Sequence, residues 1–114
     1  MKAATGARTG TGSWLLQRAT ALLLAFAVPG LTIYFLAALP VDFAGWQALF
    51  APPEVRVLLL LAAAALALHA WVGMKDIFMD YVRHTGLRLA LLLVVIVVLA
   101  GSVVWLCAML WSPV

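Results

Sequence analysis

The sequence predicts an all-α integral membrane protein with three transmembrane helices. Of its 114 residues, 68% are hydrophobic and only 10% are charged, against roughly 45–50% and about 25% in ordinary soluble domains. Because small domains bury the smallest fraction of their surface, lipid must cover what one small core cannot. Three long apolar stretches each exceed the length of about 20 residues that a spanning helix needs. They leave only short tails and loops, which excludes a sizeable catalytic domain outside the membrane.

The first predicted transmembrane helix covers residues 15–39 of a single membrane-anchor domain, 1–114. Its stretch from Ala19 to Leu39 carries no formal charge. Pro29 removes a backbone donor, so we expect a bend near the middle. A cleaved signal peptide is the competing interpretation, but this stretch exceeds the usual 7–15 apolar residues and no small-x-small cleavage site follows closely. The small, polar residues 1–13 are predicted to form a flexible segment on the inner side.

The second and third predicted transmembrane helices cover residues 56–80 and 87–111. The third contains 23 uncharged residues from Leu89 to Trp111, a length that by itself indicates a spanning helix. The loop between the first two helices is rich in proline and aromatic residues and is expected at the membrane interface. The aromatic residues expected to form interfacial belts are Trp46, Phe50, Trp105 and Trp111.

Basic residues predict the orientation, because Lys and Arg accumulate in the cytoplasmic flanks of membrane helices. Only Arg56 lies on the side of the first loop. Those on the other side are Lys2, Arg8, Arg18, Lys75, Arg83 and Arg88. We therefore expect the N-terminus and the second turn inside, and the first loop and the C-terminus outside. These scattered charges form no contiguous patch for nucleic acid. The lone Cys107 is predicted to be a small buried hydrophobe.

His69 lies almost at the centre of the second helix, where an ionisable side chain is costly and indicates function. At 100° per residue, small residues at 62, 65 and 73 and the carboxylates at 76 and 80 share its line along the helix. Two interpretations follow. His69 forms a hydrogen bond across a close helix–helix contact, or it is an axial haem ligand with Ala65 and Gly73 clearing a face for the flat macrocycle.

Polar residues at the inner membrane surface carry two further hypotheses. Tyr81 lies about 18 Å from His69 along a continuous helix, where its phenol either donates a hydrogen bond to a ligand carbonyl or anchors the helix at the interface. Arg18 either holds a carboxylate such as a haem propionate or marks topology with its stem extended toward water. His84, in the inner turn, is expected to be solvated.

The segment from His69 to Leu89 resembles the hydrophobic membrane anchor of succinate dehydrogenase (respiratory complex II), specifically its D subunit, a cytochrome b556 anchor. The likeness extends over the chain, with three spans, a short inner turn and a similar length. Lys75 departs from the pattern, in which an uncharged or aromatic residue is expected. The residues that carry the resemblance are Arg18, Ala19, Thr20, His69, Trp71, Gly73, Met74, Asp80 and Tyr81.

The resemblance implies a membrane anchor and electron-transfer subunit without independent activity, in the succinate:ubiquinone oxidoreductase of the tricarboxylic acid cycle and aerobic respiratory chain. A second anchor, the C subunit, then completes a helical bundle that holds one haem b through a histidine from each chain, which is His69 in this sequence. Tyr81 and Asp80 match quinone-binding positions, and Arg18 matches a supporting position near the haem propionate or quinone.

The same resemblance implies partners and a location. A flavoprotein subunit with FAD and an iron–sulfur subunit with its clusters dock on the inner side, and ubiquinone is the substrate of the membrane part. The expected location is the bacterial inner (cytoplasmic) membrane, with a cytoplasmic N-terminus and a periplasmic C-terminus. Two alternatives remain open: a cofactor-free structural or assembly subunit of another membrane complex, and the anchor of a fumarate reductase or of a haem-free variant.

Overall fold

The chain folds into four helices, seen in a computed structural model that describes residues 2–112. Met1, Pro113 and Val114, which belong to the predicted domain 1–114, lie outside the described residues. No strand occurs within residues 2–112, so the predicted all-α class is confirmed. In chain order the helices are α1 Lys2–Ala37, α2 Phe43–Leu49, α3 Pro53–Tyr81 and α4 Thr85–Leu110.

Three of these helices are long and apolar enough to cross a membrane. The segments that meet this condition are Gly12–Ala37 in α1, all of α3 and all of α4. They overlap the predicted segments 15–39, 56–80 and 87–111, so the three predicted spans are present as helices. α1 continues through Pro29, and a bend at that residue stays a prediction.

Residues 2–13, which the sequence predicts to be flexible, are helical, and their flexibility stays a prediction. Each added helical residue contributes one more hydrogen bond once a helix exists. No proline precedes Pro29, and a glycine inside a helix costs only about 1 kcal/mol relative to alanine. The glycines of this segment therefore weaken α1 without ending it.

A short helix, α2, lies within the loop that the sequence predicts at the membrane interface. Its N-cap is Asp42, whose carboxylate accepts a 2.7 Å hydrogen bond from the backbone N–H of Gly45. The Tyr34 hydroxyl donates to the carbonyl of Leu49 at 2.8 Å, which fastens α2 to the end of α1. Four rings pack beside this contact in edge-on and tilted arrangements, with centroid distances of 5.1 to 5.6 Å: Tyr34, Phe35, Trp46 and Phe50.

α3 is the central helix and packs against both α1 and α4. The residues buried in α1 and α3 are small or β-branched: Thr20, Ala27, Ala62, Ala65 and Val72. Small side chains let two helix backbones approach closely, as in membrane helix pairs. Most large apolar side chains, in contrast, are exposed, which is the pattern expected of a protein whose surroundings are lipid.

Cys107 is exposed, so the prediction that it is buried is wrong for this chain. The reason is the position of α4 at the edge of the bundle. None of its residues is buried, because its main packing contact among the described helices is with α3.

Candidate functional site

His69 lies close to the middle of α3 and makes a polar contact with α1. Its Nδ1 atom is 3.1 Å from Oγ1 of Thr20. Thr20 is 6% exposed and is the buried polar residue of the described chain. An imidazole at this membrane depth needs a polar partner, and α1 supplies one. The hydrogen bond across a helix contact, the first interpretation of His69, is therefore present.

The residues on the His69 side of α3 lie against α1. Ala65, one turn before His69, is only 5% exposed. A Cβ atom added to Gly73, one turn after His69, would lie 3.9 Å from Nε2 of Gln17 in α1. The structure thus gives these two small residues a role in helix packing. Both lie on the side of α3 that meets α1, and their clearing of a face for a haem stays a prediction.

The second ring nitrogen of His69 remains available to a ligand. Among residues 12–112, whose side chains the structure describes, none forms a hydrogen bond with Nε2, and the His69 side chain is half-buried. The same part of the chain contains no group of three or more His, Cys, Asp or Glu side chains that could hold a metal ion. A single imidazole of this kind suits a haem-ligand position, whereas a chelated metal ion needs several ligands. The residues present therefore fit a haem that a second chain helps to hold.

Asp80 and Tyr81 end α3 at the side of the molecule that carries the turn to α4. α3 is continuous from Pro53 to Tyr81, so Tyr81 lies about 18 Å from His69 along the helix axis. Half the hydrocarbon thickness is about 15 Å. Tyr81 is 79% exposed, and Asp80 is exposed beside it. Both side chains are open to a ligand or partner at the membrane surface.

Arg18 is not brought to His69 within this chain. Its guanidinium carbon lies 5.4 Å from the centre of the Trp14 ring, a cation–π contact. Thr20 faces α3, and Arg18, two residues earlier, lies about 200° around α1 from Thr20. Arg18 is accordingly exposed on the opposite side of the helix. Any group that it binds must lie on that outer side or be reached by its long side chain.

Three polar residues of α1 face α3, and the sequence interpretation did not assign them a role there. Ser13 Oγ accepts a long 3.5 Å hydrogen bond from Lys75 Nζ, and Gln17 Oε1 is buried without a partner in the described chain. Thr20 completes the row. The spacing i, i+4, i+7 places Ser13, Gln17 and Thr20 on one helix face. This polar row in an apolar helix is a signal by which the sequence could have revealed them.

His84 has a structural role that the sequence did not predict. It is the N-cap of α4, and its Nδ1 accepts a 3.0 Å hydrogen bond from the backbone N–H of Leu87. The first N–H groups of a helix have no partner within the helix, so this side chain supplies one. The expected solvated histidine is exposed, but it also begins α4.

Two comparisons relate the chain to known proteins. The model of the succinate dehydrogenase/fumarate reductase transmembrane subunit family matches residues 3–105. The succinate dehydrogenase hydrophobic membrane anchor subunit of Coxiella burnetii (strain RSA 493 / Nine Mile phase I) is 36% identical over 104 residues, which cover 91% of this chain and 90% of the relative. The matched region contains all three long helices up to residue 105.

Proposed function

The chain belongs to the succinate dehydrogenase/fumarate reductase transmembrane subunit family, and from this premise we propose that it is the membrane anchor and electron-transfer subunit of a succinate dehydrogenase. This membership confirms the resemblance noted for the segment that begins at His69. The observation that carries the proposal is His69 itself, an imidazole near the middle of α3 whose Nδ1 is hydrogen-bonded to Thr20 and whose Nε2 has no partner among the described side chains. The chain contributes binding groups, while the redox chemistry belongs to the cofactors and the quinone.

His69 is proposed as one axial ligand of a haem b, through Nε2. When bound there, haem supplies a one-electron carrier within the membrane. One imidazole would not hold the haem from both sides, so a second anchor, the C subunit, would contribute the other histidine. Ala65 and Gly73 hold α3 close to α1 and in this way support the position of His69. Arg18 supports a haem propionate or the quinone from the outer side of α1, where its guanidinium is exposed.

Tyr81 and Asp80 are proposed to bind ubiquinone at the inner surface. The exposed phenol of Tyr81 donates a hydrogen bond to one quinone carbonyl, and its ring lies against the apolar part of the ligand. Asp80 is exposed at the same helix end, in reach of water, and exchanges protons with it. Ubiquinol formation requires two protons, and a carboxylate at this position relays them from the aqueous phase.

The proposed orientation places the N-terminus and the turn from α3 to α4 in the cytoplasm and the C-terminus in the periplasm of a bacterial inner membrane. The contacts of Thr20 with His69 and of Ser13 with Lys75 show that α1 and α3 are antiparallel. The basic residues other than Arg56 therefore gather at one end of the bundle. The flavoprotein, with FAD, and the iron–sulfur subunit dock at this end.

Purification of the complex through this chain in a mild detergent tests the proposal. We expect co-isolated flavin, iron–sulfur and b-haem absorbance. Replacement His69→Ala is expected to abolish the dithionite-reduced haem b spectrum. The matched control is His84→Ala, which removes the other histidine of the chain and should keep that spectrum. An unchanged haem b spectrum in His69→Ala would exclude His69 as a ligand. Purification of a colourless three-helix protein would refute the whole proposal.

The competing functions differ in measurable ways. The hydrogen bond between His69 and Thr20 is also what a cofactor-free structural or assembly subunit requires, and such a subunit would purify without haem. The family description covers fumarate reductase as well. A fumarate reductase anchor would be recognised by preferential catalysis from quinol to fumarate in the purified complex.

A further inference from the structure

We propose that Thr20 is a positioning residue that holds His69 in the tautomer with hydrogen on Nδ1 and a free lone pair on Nε2. This inference rests on the proposed function of His69 as a haem ligand. Its basis is the group of three acceptors and donors around the Thr20 hydroxyl. Oγ1 lies 2.8 Å from the carbonyl of Leu16, 3.1 Å from that of Gln17 and 3.1 Å from Nδ1 of His69.

The hydroxyl has one hydrogen, and counting hydrogen bonds decides where it goes. A carbonyl oxygen can only accept. If the hydroxyl donates to the carbonyl of Leu16, its own lone pairs accept from Nδ1–H, and both contacts become hydrogen bonds. If the hydroxyl donates to Nδ1 instead, neither carbonyl receives a hydrogen from it. The first arrangement makes one more hydrogen bond, so Thr20 accepts and His69 donates.

The surroundings make this preference strong. Thr20 is 6% exposed, and in a low-dielectric environment hydrogen bonds are stronger because water does not compete. A threonine is also stiff at χ1, and its hydroxyl characteristically bonds to carbonyls of the preceding helical turn. α1 therefore presents a fixed acceptor to α3. The ring of His69 is oriented by this acceptor, and Nε2 is directed away from Thr20.

In metal sites, the ring nitrogen of a ligating histidine that does not bind the metal usually donates a hydrogen bond to a neighbouring group. The outer hydrogen bond fixes tautomer and ring orientation and raises the basicity of the ligand, and its loss typically weakens metal affinity about 10–100-fold. His84 provides an internal contrast. Its Nδ1 accepts from Leu87 N–H, so the neutral ring carries its hydrogen on Nε2. The two histidines of the chain are thus expected in opposite tautomers.

The first test replaces the hydroxyl in the whole complex. Thr20→Val keeps the shape and removes the acceptor, whereas Thr20→Ser keeps it. We expect Thr20→Val to weaken haem retention about 10–100-fold, to raise the midpoint potential of the remaining haem and to shift its low-spin EPR signal. Thr20→Ser should stay near the unmodified complex. Thr32→Val is the matched control, because Thr32 Oγ1 donates to Val28 O at 2.7 Å in the same helix without contacting a histidine.

The second test reads the tautomer without haem or enzyme activity. Nitrogen NMR of the full chain, labelled with ¹⁵N-histidine in lipid nanodiscs under mildly alkaline conditions, should show His69 protonated on Nδ1 and His84 on Nε2. Replacement His69→Gln assigns the signals. This measurement on the unmodified chain decides the matter even if Thr20→Val fails to assemble. An Nε2–H tautomer at His69 would overturn the inference.

The outcomes separate this inference from the proposed function. Loss of haem in His69→Ala together with unchanged haem content, potential and EPR signal in Thr20→Val would refute the role of Thr20 alone. Retention of haem in His69→Ala would refute the ligand proposal, and the Thr20 contact would then be a hydrogen bond of helix packing alone. Equal haem loss in Thr20→Val and Thr32→Val would trace the effect to α1 stability and contradict a role through His69.

Discussion

Tyr81 combines two properties that its proposed role in quinone binding requires. It is the last residue of α3, and most of the residue is exposed. The hydroxyl of the other tyrosine, Tyr34, donates a hydrogen bond to the carbonyl of Leu49. One tyrosine therefore stabilises the fold, and the other has its donor available at the membrane surface.

This difference predicts the behaviour of two matched variants. Tyr81→Phe removes one hydrogen bond, for which a net contribution of about 0.5–1.5 kcal/mol is typical. We expect the KM for ubiquinone to rise by up to about tenfold, with haem content and assembly unchanged. Tyr34→Phe should lower the thermal stability of the complex and leave quinone kinetics alone. Normal quinone affinity and turnover in Tyr81→Phe would count against the role of its phenol.

At the scale of the helices, the contact of α1 with α3 determines the environment of His69. The contact is close because small residues line α3 on this side, with Ala65 and Gly73 one turn away from His69 on either side. On the facing side of α1 lies the row of polar side chains Ser13, Gln17 and Thr20. The distance between the two helices therefore governs whether Thr20 and His69 can meet.

Replacements of Gly73 test this dependence. An added Cβ would lie 3.9 Å from the flexible end of Gln17, an ordinary contact, so Gly73→Ala should assemble with nearly normal haem content. Gly73→Leu places a large side chain against Gln17, so we expect α1 and α3 to move apart, and overpacking of this kind typically costs about 1–3 kcal/mol. We expect it to lose haem and to shift the haem potential in the same direction as Thr20→Val. Normal haem properties in Gly73→Leu would show that helix separation does not affect His69.

The helices could be predicted from the sequence because bilayer thickness fixes the length of an apolar span. The central position of His69 follows from the same arithmetic. The pairing of His69 with Thr20 could not be predicted from the sequence, because it depends on which faces of α1 and α3 meet. The two residues are 49 positions apart, so no local pattern indicates their contact. The prediction that Cys107 is buried failed for a related reason. Helix α4 is apolar on every side, so its sequence does not show which side packs against α3. The cap at His84 depends on local backbone angles that periodicity does not report.

The molecule as a whole is elongated, with principal extents of 59 × 27 × 21 Å, and it exposes most of its large apolar residues. Lipid and neighbouring subunits must cover this surface. The two ends also differ in charge, since Arg56 is the basic residue at the end that contains α2. A bilayer gives such a molecule a direction.

Thiol labelling tests that direction. In a Cys107→Ser background, we introduce Ser112→Cys beyond α4 and Arg83→Cys in the turn between α3 and α4, both at exposed positions. A membrane-impermeant maleimide added to spheroplasts should label the variant at 112 and spare the variant at 83. After lysis, both should react. The reverse pattern in intact spheroplasts would contradict the proposed orientation, and Cys107→Ser alone provides the background signal.

Arg56 also joins the first turn of α3 to the end of α4. Its guanidinium donates to the carbonyl of Ala51 at 3.0 Å and lies 5.6 Å from the centre of the Trp111 ring. The hairpin of α3 and α4 is thus connected at one end by the turn between the two helices and at the other end by the contact of Arg56 with Trp111. α1 has a separate connection to α3, at Thr20 and His69. A subunit that displaces α1 would therefore act directly on His69 while the hairpin of α3 and α4 keeps its shape.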